Sequence, residues 1–92
     1  MKSILQTEKE CFICKTTYSL EEHHVFFGFA NRKLSERNGL KVWLCPEHHR
    51  GNSGAHNNRE TDLSIKKYAQ TEYEKEHSRE EFIRIFGKSY LG

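Results

Sequence analysis

Leu44-Cys45-Pro46-Glu47-His48-His49-Arg50 is the stretch on which the reading of this chain turns. Cys45-x-x-His48 has the spacing of a zinc half-site, and Pro46 suits the first turn of a helix, where its missing N–H leaves nothing unpaired. A second half-site, Cys11-x-x-Cys14, stands upstream. Zinc takes four nitrogen or sulfur ligands in a tetrahedron, and two such pairs supply them from two knuckles. The expectation is one structural Zn2+ on Cys11, Cys14, Cys45 and His48, with His49 as the substitute for His48. The competing reading of Cys11-x-x-Cys14 is a redox dithiol. That motif opens a helix in a βαβ unit, and no such unit is visible here. Three cysteines cannot close a set of disulfides, so they read as metal ligands in a reducing compartment.

The rest of the composition agrees with a small, stapled domain. Ninety-two residues make one domain, and a hydrophobic fraction of 35% gives it a small core. Chains of this length often need a metal or another staple. Met1 to Glu10 lacks the apolar stretch of a signal peptide, and no apolar run is long enough to cross a bilayer. A cytoplasmic chain is expected, with residues 1–10 as a flexible arm. Net charge is only +2, which barely favours a nucleic-acid partner. Its distribution says more: residues 31–50 hold Arg32, Lys33, Arg37, Lys41 and Arg50 against Glu36 and Glu47. A solvated charged face is the plainer reading of the same run.

Working outward from the central stretch, Leu40-Lys41-Val42-Trp43-Leu44 reads as a strand leading into the second half-site. Gly51 and Gly54 then keep the helix after Cys45 short. His24-Val25-Phe26-Phe27 reads as an earlier strand ended by Gly28. Ala30 to Arg37 has room for one or two helical turns, and Asn38-Gly39 is a stop and turn signal. Asp62 to His77 is the longest helix expected, with Ile65, Tyr68, Ala69 and Tyr73 on one face. Ser78-Arg79-Glu80-Glu81 is a capping-box pattern opening a last helix. Phe82, Ile83, Ile85 and Phe86 supply its buried side, and Gly87 can end it. The fold class expected is α+β, a knuckled core at residues 11–58 followed by packing helices at 60–92.

Five of the six histidines lie between positions 11 and 56. The zinc set uses one, and of the other four it leaves His23, His24 and His49 for another task, with His56 further along. A one-metal phosphodiesterase needs ligands that hold a divalent cation on the scissile phosphate, a base that deprotonates water, and a group that orients that base. Imidazole serves both of the first two, because it ligates when neutral and titrates near neutrality. His23 and His49 suit the metal, and His24 the base. One geometric condition follows: adjacent residues of a regular strand point to opposite faces, so His23 and His24 share a site only where the strand starts or bulges.

These residues resemble a known family. Glu22-His23-His24-Val25 together with Leu44-Cys45-Pro46-Glu47-His48-His49-Arg50 looks like the HNH (ββα-metal, His-Me finger) endonucleases, over residues 11–58. Its small zinc-containing phage and prophage-type members look most similar. The resemblance implies two strands and a helix clasping one catalytic cation, with His23 as a ligand, His24 as the general base and His49 as a second ligand. It also implies DNA as substrate, 5′-phosphate and 3′-hydroxyl products, and a bacterial or phage-infected cytoplasm. Two departures stand out. The family's middle asparagine position falls on Leu40, with Asn38 off register, so the group orienting His24 is open and a backbone carbonyl in the central loop is one choice. The last ligand of many members falls on Ser53. His56 is the nearest histidine, and becomes the third ligand if the glycine-rich stretch curls back; a surface histidine or phosphate contact is the other reading.

The cation is Mg2+, Mn2+, Ni2+ or Zn2+ on this reading; imidazoles favour the borderline ions and magnesium prefers oxygen. Arg32, Lys33, Arg37 and Arg50 are the expected DNA contacts. Phe26, Phe27 and Phe29 are expected in the core rather than stacked on bases, and Lys66 and Lys67 on a solvated helix face. With so little chain to read sequence, a protein partner for targeting, or a dimer, is expected. The alternative to a nuclease is a non-catalytic zinc module binding nucleic acid or protein, which the Leu40 departure supports and the paired histidines oppose.

Overall fold

A computed structural model describes residues 1–92. Two short strands, β1 (Glu21–His24) and β2 (Lys41–Leu44), are joined through helix α1 (Asn31–Asn38) and followed by α2 (Pro46–Arg50), α3 (Arg59–Tyr73) and α4 (Arg79–Phe86). The strands pair antiparallel, with Glu21 opposite Leu44, Glu22 opposite Trp43, His23 opposite Val42 and His24 opposite Lys41. Alternation puts Glu21, His23, Val42 and Leu44 on one face and Glu22, His24, Lys41 and Trp43 on the other. Val42, Leu44 and His23 are all buried, so the first face is the inner one. The α+β class expected from sequence is the class observed, and its radius of gyration of 12.6 Å matches the ~12 Å of a compact chain this long. No helix is long and apolar enough to cross a membrane.

Several expectations shift. The first strand ends at His24 rather than running through Phe27, although Val25 N–H still donates to Leu40 O (3.0 Å). Ser35, fully buried on α1, takes over at Phe26: its hydroxyl donates to Phe26 O (2.7 Å) and accepts from Phe26 N–H (3.0 Å). With both backbone groups satisfied by a side chain, Phe26 needs no strand partner. Gly39, in the left-handed region at φ 70°, closes α1.

Residues 1–10 are not a free arm. Ile4 N–H donates to Gly39 O (2.9 Å), Ser3 Oγ to Lys41 O (2.5 Å), and Trp43 N–H to Gln6 Oε1 (2.8 Å). A two-stranded sheet leaves the outer edge of β2 unpaired, and this segment covers it while burying Leu5.

The core is aromatic. Phe26 packs on Phe82 and Phe86, with ring centroids 5.3 and 4.6 Å away, and Phe82 meets Tyr73 at 5.7 Å. Helix α3 begins at Arg59, because Asn58 Oδ1 caps it by accepting from Thr61 N–H (3.0 Å), and it ends at Tyr73, one turn short of the expected His77. Ile65, Ala69 and Tyr73 are buried as expected, while Tyr68 sits at the rim, 40% exposed and packed on Phe12. The capping box of α4 forms: Ser78 Oγ accepts from Glu81 N–H while the Glu81 carboxylate accepts from Ser78 N–H. Phe82 and Phe86 face the core, whereas Ile83 is exposed rather than buried.

Candidate metal centres

The first centre joins the two half-sites. Phe12 N–H donates to Trp43 O (2.8 Å), which fastens the Cys11 knuckle beside the end of β2. Cys14 N–H donates to Cys11 Sγ (3.5 Å), and Lys15 turns the chain in the left-handed region at φ 68°. Cys45 stands at the start of α2 with Pro46 behind it. The donor atoms of Cys11, Cys14, Cys45 and His48 all lie within 4.8 Å of one another. Cys14 Sγ is 3.8 Å from Cys45 Sγ, and His48 Nδ1 is 3.7 Å from Cys11 Sγ and 3.3 Å from Cys45 Sγ. A tetrahedral zinc with ~2.3 Å bonds to sulfur and ~2.05 Å to nitrogen needs sulfurs ~3.8 Å apart and sulfur to nitrogen ~3.6 Å. The cluster therefore can hold a metal ion such as zinc, and no disulfide joins its cysteines. Burial pushes the Cys11 thiol up, but backbone bonds at Cys14, Cys45 and Ile13 outweigh it and bring it down to about 6, which favours the thiolate a metal binds.

The second centre is made by the curl of chain after α2. Ala55 N–H donates to His48 O (2.8 Å) and His56 N–H to His49 O (3.1 Å). The return passes through Gly54, where a Cβ would sit 2.7 Å from the carbonyl carbon of His49. His56 is thereby laid beside His49, with their Nε2 atoms 3.1 Å apart. Both rings meet His23 at centroid distances of 5.1 Å. One ring nitrogen from each of His23, His49 and His56 lies within 4.8 Å of the other two. His23 Nε2 is buried without a hydrogen-bond partner, an arrangement that is costly unless something binds it. Burial, helped by the neighbouring His49 and His56, lowers the His23 imidazole to about 3, so it is neutral and able to ligate near pH 7. This is the donor set that a borderline cation fits.

Glu21, absent from the sequence expectations, completes that centre. His49 Nδ1–H donates to Glu21 Oε1 (2.7 Å), which leaves Nε2 facing His56. The Arg50 guanidinium, then His49, hold the Glu21 carboxyl at about 2. Period-two spacing from Glu21 to His23 was the available signal. Arg50, expected as a DNA contact, is committed to Glu21 through Nε (3.0 Å) and Nη2 (2.5 Å).

His24 points away from His23, as strand alternation requires, and not toward the same three-histidine cluster. Its Nε2–H donates to Glu36 Oε1 (2.9 Å). Glu36 also accepts from Lys41 Nζ (2.9 Å) and pairs with the Met1 amine (2.9 Å). Those bonds, Lys41 first, hold its carboxyl well below the usual carboxylate range. Glu36, rather than a backbone carbonyl, is what fixes His24, and that role depends on how α1 packs, which no local pattern in the sequence signals. A cavity of about 370 Å³ is lined by Glu22, His23, His24, Phe27, Gly28, Arg32, His49 and His56, so the two adjacent histidines border one opening from opposite faces of β1. Lys33 and Arg37 are exposed on α1 as expected of solvent-facing cations. Lys66 is not on a solvated face: it pairs with Asp62 (2.9 Å) with its side chain only 13% exposed and lies 4.6 Å from the Phe27 ring centroid.

Comparison of the chain with protein-family models, with curated proteins and with solved structures finds no match.

Proposed function

We propose that the chain is a small metal-dependent DNA endonuclease of the HNH type, in which β1, β2 and α2 form the ββα-metal unit. The observation that carries this reading is the convergence of one ring nitrogen each from His23, His49 and His56, with the His23 ring buried and its Nε2 unpartnered, at a cavity also lined by His24. Cys11, Cys14, Cys45 and His48 hold a structural zinc in this account. His23, His49 and His56 hold the catalytic cation, which supplies charge stabilisation at the scissile phosphate when bound.

The chain's own residues do the rest. With Nε2–H given to Glu36, the neutral His24 ring carries its lone pair on Nδ1 and takes a proton from the attacking water there. Glu36 fixes the ring and the tautomer. Glu21 does the same for His49 through Nδ1. Arg32, at the cavity wall, offers a charge to the DNA backbone.

The test is plasmid nicking by the zinc-loaded protein with added magnesium, manganese, nickel or zinc. The wild type should cut with at least one. His23→Ala/His49→Ala should not cut, while retaining its structural zinc, and should lose a weaker manganese or nickel site seen by calorimetric titration. A double variant that cuts at the wild-type rate refutes the assignment.

A further inference from the structure

The segment that leaves β1, Phe27-Gly28-Phe29-Ala30-Asn31-Arg32-Lys33, contains two aromatic rings, two cations and no carboxylate. Gly28, at φ 102°, turns the chain so that three phenylalanines part company. Phe26 enters the core, Phe27 is 37% exposed, and Phe29 is 95% exposed. The expectation that all three pack inside therefore fails for two of them. Phe29 forgoes nearly all of the stabilisation that burying a phenylalanine brings. Its ring has no aromatic neighbour and lies 5.9 Å from Lys33 Nζ. Phe27 lies at the lip of the three-histidine cavity, its centroid 4.7 Å from that of His56 and 5.8 Å from that of His23.

We infer that Phe27 and Phe29 are a stacking platform for unpaired bases beside the cleavage point, so that the substrate is a nucleic acid strand opened at that point rather than an intact duplex. The inference rests on the nuclease reading above and names its substrate class. Two residues of chain span at most ~7 Å, which keeps the two rings within reach of neighbouring bases. A base inside a duplex already has both faces stacked on its neighbours, so an aromatic platform gains a partner only where the strand is unpaired. Arg32 and Lys33, in the first turn of α1 beside the rings, neutralise the phosphates of the same strand. Cations rimming exposed rings next to a phosphate-directed histidine cluster fit a nucleic acid better than an apolar protein segment.

The experiment uses the whole zinc-loaded chain without any other added divalent cation. The probes are a short DNA strand carrying 2-aminopurine, the same strand in a duplex, and the matching RNA strand. Single strands should bind more tightly than the duplex and their fluorescence should be quenched by stacking. Quenching of DNA, RNA or both supports the platform and identifies the sugar it accepts. Phe29→Ala should weaken single-strand binding about tenfold, ~1.4 kcal/mol, and relieve the quenching, with zinc content and duplex affinity unchanged. Phe29→Trp should restore both. Equal single-strand affinity in the wild type and Phe29→Ala, or a preference for the duplex, overturns the inference. The probe strands are checked for cutting on a gel from the same samples, so loss of stacking with intact nicking removes the platform alone. Failed nicking with intact quenching removes the catalytic reading alone.

Discussion

At the residue scale, two neighbouring histidines have been given different surroundings by the alternation of one short strand. His23 faces inward, buried and neutral, with an unpartnered Nε2 and its ring against those of His49 and His56. His24 faces the other way and is held by a carboxylate. A ligand must be neutral and aimed, and a base must be oriented with one nitrogen free, so the two environments suit the two proposed roles. Glu36 is a positioning residue in this account. Glu36→Ala should keep the fold and slow cleavage by ~10-fold or more, a part of the 10²–10⁴ that a general base contributes. Nitrogen-15 shifts of the His24 ring should also change from a single Nε2–H tautomer to a mixture. A variant with an unchanged rate and an unchanged tautomer would remove Glu36 from the mechanism.

At the element scale, the half-sites, the second strand, the proline-started helix and the α4 capping box were legible because each is a local pattern. The spacing of Cys45 and His48 follows from one turn of helix, and the Ser78–Glu81 box from reciprocal bonds across three residues. The start of β1 was misplaced because aromatic, β-branched Val25-Phe26-Phe27 carries high strand propensity, yet Ser35, nine residues away, satisfies Phe26 instead. The same non-locality hid Glu36, and it hid the docking of residues 3–6 on β2. The third histidine of the cluster depended on a conditional, that the glycine-rich stretch curls back, and the observed bonds from Ala55 and His56 to α2 meet it. Gly54 is the position on which that curl depends. In Gly54→Ala the new methyl meets the His49 carbonyl carbon at 2.7 Å, so the loop must shift and carry His56 with it. Nickel or manganese affinity at the histidine cluster should fall ~10- to 100-fold, the range for losing support around a ligand. Stoichiometric zinc should remain on the cysteine centre. Undiminished affinity for the second ion would show that His56 is not a ligand.

At the scale of the whole molecule, a short chain surrounds two donor clusters that share α2: His48 turns to the cysteines and its neighbour His49 to the other histidines. Nineteen of 92 residues are buried, a small core for holding Cys11 to Cys45 across thirty-odd residues of chain. Structural zinc in small domains contributes ~10–16 kcal/mol of apparent binding energy, comparable with or larger than the 5–15 kcal/mol stability of an ordinary domain. Chelation, or Cys14→Ser, should therefore leave a largely unfolded chain by circular dichroism. A metal-free preparation that melts cooperatively at the holo temperature would contradict this. Since β1, β2 and α2 carry every residue of the proposed site except His56, Glu36 and Arg32, folding and activity should be lost together on zinc removal but separately on mutation of the histidine cluster.

The most direct measurement of the central claim is the single-turnover nicking rate of His24→Ala beside the wild type, with zinc content, circular dichroism and DNA affinity measured on the same samples. The account predicts a folded, zinc-loaded, DNA-binding variant that cuts ~10²–10⁴-fold more slowly. A folded His24→Ala protein that nicks at the wild-type rate would contradict the mechanism. A wild type that cuts no DNA with magnesium, manganese, nickel or zinc would replace the nuclease with a zinc-stapled binding module.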